Sequence, residues 1–118
     1  MYKRPVVDTW STACATILGD AAHATLPYLA QGAAMAIEDG AVLARSLIQE
    51  DDTAAALKLY HRNRVERTSR VVETSDANRK LFHLDSVDEI RKSFASRNEG
   101  ADRNAWLYSY NPLTVELV

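Results

Sequence analysis

Glycine is scarce in this 118-residue chain, and its four glycines, Gly19, Gly32, Gly40 and Gly100, are too far apart to form G-x-G. That spacing excludes a dinucleotide fingerprint and a P-loop within these residues. Cysteine is scarcer still. Cys14 stands alone, so no intramolecular disulfide can form, and a reducing, cytoplasmic compartment is the natural expectation. No apolar run approaches the roughly 18–20 residues of a membrane span. No hydrophobic region follows the charged Met1-Tyr2-Lys3-Arg4-Pro5 start, so no secretory signal is read there. Positive charge is not in excess either: 14 Lys and Arg against 16 Asp and Glu leave a net charge of −2. A nucleic-acid partner is therefore not expected. Repeats and low-complexity tracts are absent. What is present, 47% hydrophobic and 25% charged residues, suits a folded chain of about one small domain and excludes wholesale disorder.

Hydrophobic patterning divides the chain into a short strand and several helices. Cys14-Ala15-Thr16-Ile17-Leu18 is apolar, partly β-branched and closed by the turn signal Gly19-Asp20, which predicts one buried strand with Cys14 as a core thiol. Its partners must lie elsewhere in the chain or outside it. Arg4–Asp8 is extended at best, and Pro5 confines it to a sheet edge. From about Leu29 to Gln49 alanine dominates, and Met35, Ile37, Val42, Leu43 and Leu47 recur at helical spacings after Pro27. Arg45 lies toward that helix's end, where a cation suits the dipole. A second helix is expected over about Ala54–Lys80, capped by Asp52 or Thr53, with Leu57, Tyr60, Thr68, Val71 and Ser75 on its inner stripe. Arg62, Arg64, Arg67 and Arg70 fall on its other faces, diluted by Glu66 and Glu73, so a solvated face is expected of them. A weaker helix covers Val87–Ser96. Pro112 bars a long helix in the tail, where Trp106, Tyr108 and Tyr110 read as docking anchors.

The chemistry concentrates between Leu18 and Ala34, where a strand end passes through a loop of small residues into a helix start. Asp20 stands just past the strand end, where α/β folds place ligand-binding groups. Gly32 and the alanines after it leave first-turn amides uncovered, which suits an electron-rich oxygen or an anion. A carboxylate before such a helix can accept hydroxyl hydrogen bonds from a polyol. The pattern is a polar-ligand site with one acidic acceptor and several backbone donors. The competing reading of Asp20 is a turn cap, the usual use of Asp after Gly. His23 could act as a general base or join Asp20 at a metal. No further His or Cys completes a metal set, so no metal is expected, and His23 reads as a loop residue packed on neighbouring backbone.

Gly19-Asp20-Ala21-Ala22-His23, followed by Pro27, Gln31-Gly32, Ala36 and Glu38-Asp39, resembles the second flavin-binding motif of the FAD-dependent aromatic-ring monooxygenases of the salicylate-hydroxylase-like branch. The likeness is nearly gapless from Gly19 to Leu43, and looser at Tyr2, Arg4, Pro5, Trp10 and the tail Trp106-Leu107-Tyr108 with Tyr110. It implies an α/β architecture, here represented by a mainly α-helical fragment with one or two short strands. Two long helices should pack together beside the Gly19–Gly32 loop. It implies FAD as cofactor, NAD(P)H as co-substrate, and an aromatic substrate with O2. It further implies that Asp20 bonds the ribityl chain, that Pro27 lies beside the isoalloxazine, and that the amides of Gly32, Ala33 and Ala34 approach its pyrimidine edge. Gly19, Ala21 and Ala22 would let the loop come close. Ala13-Cys14 departs from the family's frequent Gly-Arg, and no catalytic residue is assigned.

The family's G-x-G-x-x-G site is missing from these residues, so the chain is expected to be a C-terminal portion of a larger protein: a truncated gene, a partial reading of its gene, or one half of a split protein. Residues 1–80 would form the end of the FAD-binding domain and 81–118 a C-terminal helix and tail. Alone, the chain is expected to bind FAD weakly or not at all and to lack hydroxylase activity. It could associate with the missing N-terminal part or with itself. The alternative is a non-enzymatic remnant acting as a small helical interaction module.

Overall fold

The structure, a computed structural model, describes residue 7 and residues 9–83, 86–95 and 104–118. Tyr2, Arg4 and Pro5, on which part of the resemblance and the edge reading rest, lie outside the described residues. The described chain is mainly helical. A single turn, α1 (Asp20–His23), is followed by a 3-10 turn (Pro27–Leu29), and then by the long helices α2 (Gly32–Gln49) and α3 (Thr53–Phe82). A shorter α4 (Val87–Ala95) and one turn, α5 (Ala105–Tyr108), complete it.

Helices α2 and α3 form an antiparallel hairpin, and their facing stripes explain why. The α3 stripe read from the sequence is buried throughout, at Leu57, Tyr60, Thr68, Val71 and Ser75. Asp52 provides the cap: its carboxylate accepts the Ala55 amide at 2.8 Å. Helix α2 begins at Gly32 rather than Leu29. Pro27 opens the 3-10 turn instead, and Ala30 at φ 52° takes the left-handed conformation that ends it. The face that α2 buries also differs from the expected one. Met35, Val42 and Ser46 are buried together with Glu38 and Asp39, whereas Ile37 is 73% exposed and Leu47 49%.

Two apolar clusters anchor the hairpin. One gathers Trp10, Ala22, Val42, Leu59, Tyr60 and Leu117; the other gathers Met35, Val71 and Leu107. Both draw on the tail, which is strapped to the helices by polar contacts. Arg45, read as a dipole partner, instead donates to the carbonyls of Pro112 at 2.8 Å and Val115 at 2.7 Å. Asn63 donates to the Val118 oxygen at 2.9 Å and accepts the Val118 amide at 3.2 Å.

The Cys14–Leu18 strand is not realised among the described residues. The segment folds back on itself through one antiparallel bridge, Ser11 to Thr16, with the Ile17 amide donating to the Trp10 carbonyl at 3.1 Å. Cys14 is exposed, not a core thiol, and Ile17 and Leu18 are 38% and 40% exposed. A strand needs neighbours for its backbone groups, and no other described segment lies alongside to supply them. Among the described residues no helix is long and apolar enough to cross a membrane.

Candidate functional site

The loop from Gly19 to Gly32 is held from beneath by a buried charge network. Asp39, fully buried on α2, accepts the Gly19 amide at 2.9 Å and shares a 2.6 Å hydrogen bond with His23 Nε2. On its other oxygen it accepts Arg64 Nε at 2.7 Å, and Arg64 is fully buried as well. Glu38, one residue earlier, takes Arg64 Nη2 at 2.8 Å and a two-pronged bond from Arg67 at 2.7 and 2.8 Å. Burial opposes the charge on Asp39, but the bonds from His23, the Gly19 amide and Arg64 outweigh it, holding its carboxyl below the usual aspartate range. Burial likewise works against the Arg64 charge, and Asp39 reverses that effect and raises the guanidinium further. Burial also pushes the Tyr60 hydroxyl up, and Tyr60 reaches across to the Ile17 carbonyl at 3.3 Å.

This network corrects two expectations. His23 is a buried partner of Asp39, tilted against Trp10 at 5.4 Å between ring centroids, rather than a residue resting on backbone alone. The arginines of α3 are not a uniformly solvated face, because Arg64 is buried and Arg67 nearly so, each matched by an α2 carboxylate. Asp39 and Arg64 are the residues that sequence reasoning missed. A signal for them existed: Arg64 occupies the place in the α3 stripe between Tyr60 and Thr68, and a buried cation there demands a carboxylate opposite.

Above the network the loop exposes Asp20, Ala21 and Pro27 and buries Gly19, Ala22, His23 and Leu26. Gly19 adopts φ 59°, and a β-carbon on it would lie 3.2 Å from the Ala36 side chain. Gly19→Ala is therefore expected to destabilise the fold by about 1–3 kcal/mol, measured by chemical denaturation, from backbone strain and crowding together. Asp20 is exposed, and its carboxylate has no hydrogen-bond partner among the described residues. It lies within 4.0 Å of where a Gly32 β-carbon would sit, so the acid and the α2 start are neighbours. No side chain caps that start. Ala21 and Pro27 are exposed at the same loop, and Ala22 is turned into the core. An unspent carboxylate, uncapped helix amides and a missing β-carbon lie side by side, and these residues fit a hydroxylated, electron-rich cofactor such as the flavin of FAD. No group of three or more His, Cys, Asp or Glu among the described residues is arranged to hold a metal.

Comparisons with known proteins place the chain in a family. Residues 2–75 match the family model described as FAD binding domain. A 3-hydroxybenzoate 6-hydroxylase of Polaromonas naphthalenivorans is 37% identical over 113 residues, covering 92% of this chain and 28% of that protein. A 6-hydroxynicotinate 3-monooxygenase of Pseudomonas fluorescens is 45% identical over 120 residues, covering 100% of this chain and 27% of the relative. A 3-amino-4-hydroxybenzoate 2-monooxygenase of Streptomyces platensis is 39% identical, covering 98% and 30%. The chain belongs to the FAD binding domain family, and its relatives are aromatic hydroxylases and monooxygenases, as the resemblance implied. It spans about a third or less of the length of these relatives.

Proposed function

We propose that this chain supplies the ribityl- and ring-facing side of the flavin site in an FAD-dependent, NAD(P)H-using monooxygenase that hydroxylates an aromatic ring. The observation that carries the reading is the unpartnered Asp20 carboxylate beside Gly32 at an uncapped helix start. In this reading Asp20 accepts hydrogen bonds from the ribityl hydroxyls, Ala21 keeps the exposed side of the loop slim enough for contact, and Gly19 and Ala22, packed inward, let the loop lie close on α2 and the core beneath. Pro27 lies beside the ring on the substrate side. The amides of Gly32, Ala33 and Ala34 face the pyrimidine edge, where a helix N-terminus favours negative charge. When bound, FAD supplies the redox chemistry that links NAD(P)H and O2 to the aromatic substrate. The residues of this chain bind and orient it, and none is assigned a proton transfer.

In the same reading residues 1–80 are the C-terminal part of the FAD-binding domain and 81–118 a C-terminal helix and tail. The other half of the site comes from the part of the domain that the relatives carry beyond the aligned third. An unpartnered apolar stripe supports that association: Ala33, Ile37, Gly40, Ala44 and Ile48 follow one another along the exposed face of α2, with Ile48 84% exposed. Small residues at three of these five positions permit close approach of a packed layer.

The test is a titration of the labelled chain with FAD, followed by backbone amide NMR. Weak binding is expected, with shifts confined to Gly19–Ala22, Pro27's neighbours and Gly32–Ala34. Asp20→Ala is expected to weaken it about tenfold, the loss of one or two charge-assisted hydrogen bonds. Shifts centred elsewhere, or an unchanged affinity in Asp20→Ala, would sink the proposal. No NAD(P)H oxidation with a hydroxybenzoate is expected from the chain alone.

A further inference from the structure

A cleft lies away from the Gly19–Gly32 loop, between the α3 face that bears Arg62, Glu66, Arg67 and Arg70 and the tail residues Trp106 and Tyr110. It encloses about 470 Å³ and shares no lining residue with the Gly19–Ala34 segment. That volume suits a small organic molecule.

Its three guanidiniums are not equivalent. Arg67 is committed to Glu38 and to the carbonyls of Trp106 at 3.2 Å and Leu107 at 3.0 Å. Arg62 donates through Nε to the Val118 oxygen at 2.8 Å. Arg70 has no acceptor among the described residues; its guanidinium lies 3.9 Å from the centroid of the Trp106 ring. A guanidinium packed on a ring face keeps its N–H donors available. The result is a cation able to form a two-pronged hydrogen bond to a carboxylate. Trp106 and Tyr110 line the same cleft beside the guanidiniums that pack on them, Arg70 at 3.9 Å and Arg67 at 4.1 Å from the ring centroids, and the ring surface left over is offered to a flat apolar body. Glu66 also lines it and works against ligands of higher negative charge, so a monoanion is favoured over a phosphate dianion.

We propose that this cleft is a binding site for a small aromatic carboxylate, held through its carboxylate by Arg70 and through its ring by Trp106 and Tyr110. The site is separate from the flavin reading and does not depend on it.

Benzoate is the probe, titrated into the isotope-labelled chain and followed through Arg70 Nε–H, Trp106 Nε1–H and the backbone amides. Saturable binding is expected, with shifts at residues 66–70 and 104–110. Cyclohexanecarboxylate and inorganic phosphate are each expected to bind several-fold more weakly, the first lacking a flat ring and the second lacking a ring and carrying more charge. Arg70→Gln should weaken benzoate about tenfold, since one charge-assisted pair is lost. Arg70 is exposed, so this variant should keep the wild-type circular dichroism. Glu66→Gln is expected to tighten binding, a gain that misfolding could not produce. The proposal is overturned by non-saturable shifts, by a response centred on Asp20 and Gly32, by unchanged affinity in Arg70→Gln, or by phosphate binding as tightly as benzoate.

Discussion

Replacing Asp39 with alanine is expected to lower the unfolding free energy by about 3–5 kcal/mol, the scale for breaking a buried ion pair from one side. The whole fold has on the order of 5–15 kcal/mol to lose. The cost follows from what is stranded. Arg64, fully buried, keeps only Glu38 as a carboxylate partner, and the Gly19 amide and His23 Nε2 lose their acceptor together. Thermal or urea denaturation measures the loss. A double variant, Asp39→Ala with Arg64→Met, is expected to recover part of it, because removing both charges abolishes the uncompensated one. If the double variant is less stable than either single one by the plain sum of their losses, the ion pair is not the origin.

The same residue predicts a pH dependence. Asp39 has a folded-state pKa below its unfolded one, so its contribution is fully present above the ordinary aspartate value of about 4. It is lost as the pH falls through the lower, folded value. Wild-type stability should therefore decline below about pH 4, and Asp39→Asn, which cannot titrate, should show a flatter profile from a lower start.

The parts legible in the sequence are those whose cause is local. The α3 stripe from Leu57 to Ser75 is buried because helical periodicity alone brings those residues to one side. The Asp52 cap follows from side-chain length. The Gly19–Gly32 loop stood out because small residues, an acid and a helix start occur in one irregular run. What escaped the sequence depends on partners distant along the chain. Glu38 and Asp39 look like ordinary surface acids on an alanine-rich helix until α3 places Arg64 and Arg67 against them. The expected strand failed for the converse reason. Apolar, β-branched residues at 14–18 favour a sheet only where other strands accept their hydrogen bonds, and the described residues offer just the Ser11 bridge. Ile37 and Leu47, counted as inner residues by type, lie outside because the α2 face toward α3 is the one that carries Met35, Glu38, Asp39, Val42 and Ser46.

Arg67→Ala is the variant expected to separate the tail from the helical hairpin. Among the described residues Arg67 is the one α3 side chain that bonds Glu38 on α2 and also the carbonyls of Trp106 and Leu107, with its guanidinium 4.1 Å from the centroid of the Tyr110 ring. Its removal leaves Glu38 with Arg64 alone and frees two tail carbonyls, a loss of about 2–4 kcal/mol for a nearly buried charged hub. The loss should be uneven. Amide hydrogen exchange is expected to accelerate most at Leu107 and Ser109, whose bonds to the Asn104 and Ala105 carbonyls close α5, because that single turn is too short to persist undocked. Amides around Val42 and Tyr60 should keep more of their protection, since Arg45 and Asn63 still hold residues 112–118. Arg67→Lys retains the charge but not the planar fork, and a point charge cannot serve the Glu38 carboxylate and two carbonyls at once. It should recover less than half of the lost stability. Uniform acceleration across α2 and α3 would instead mean that Arg67 supports the whole fold rather than the docking of its tail.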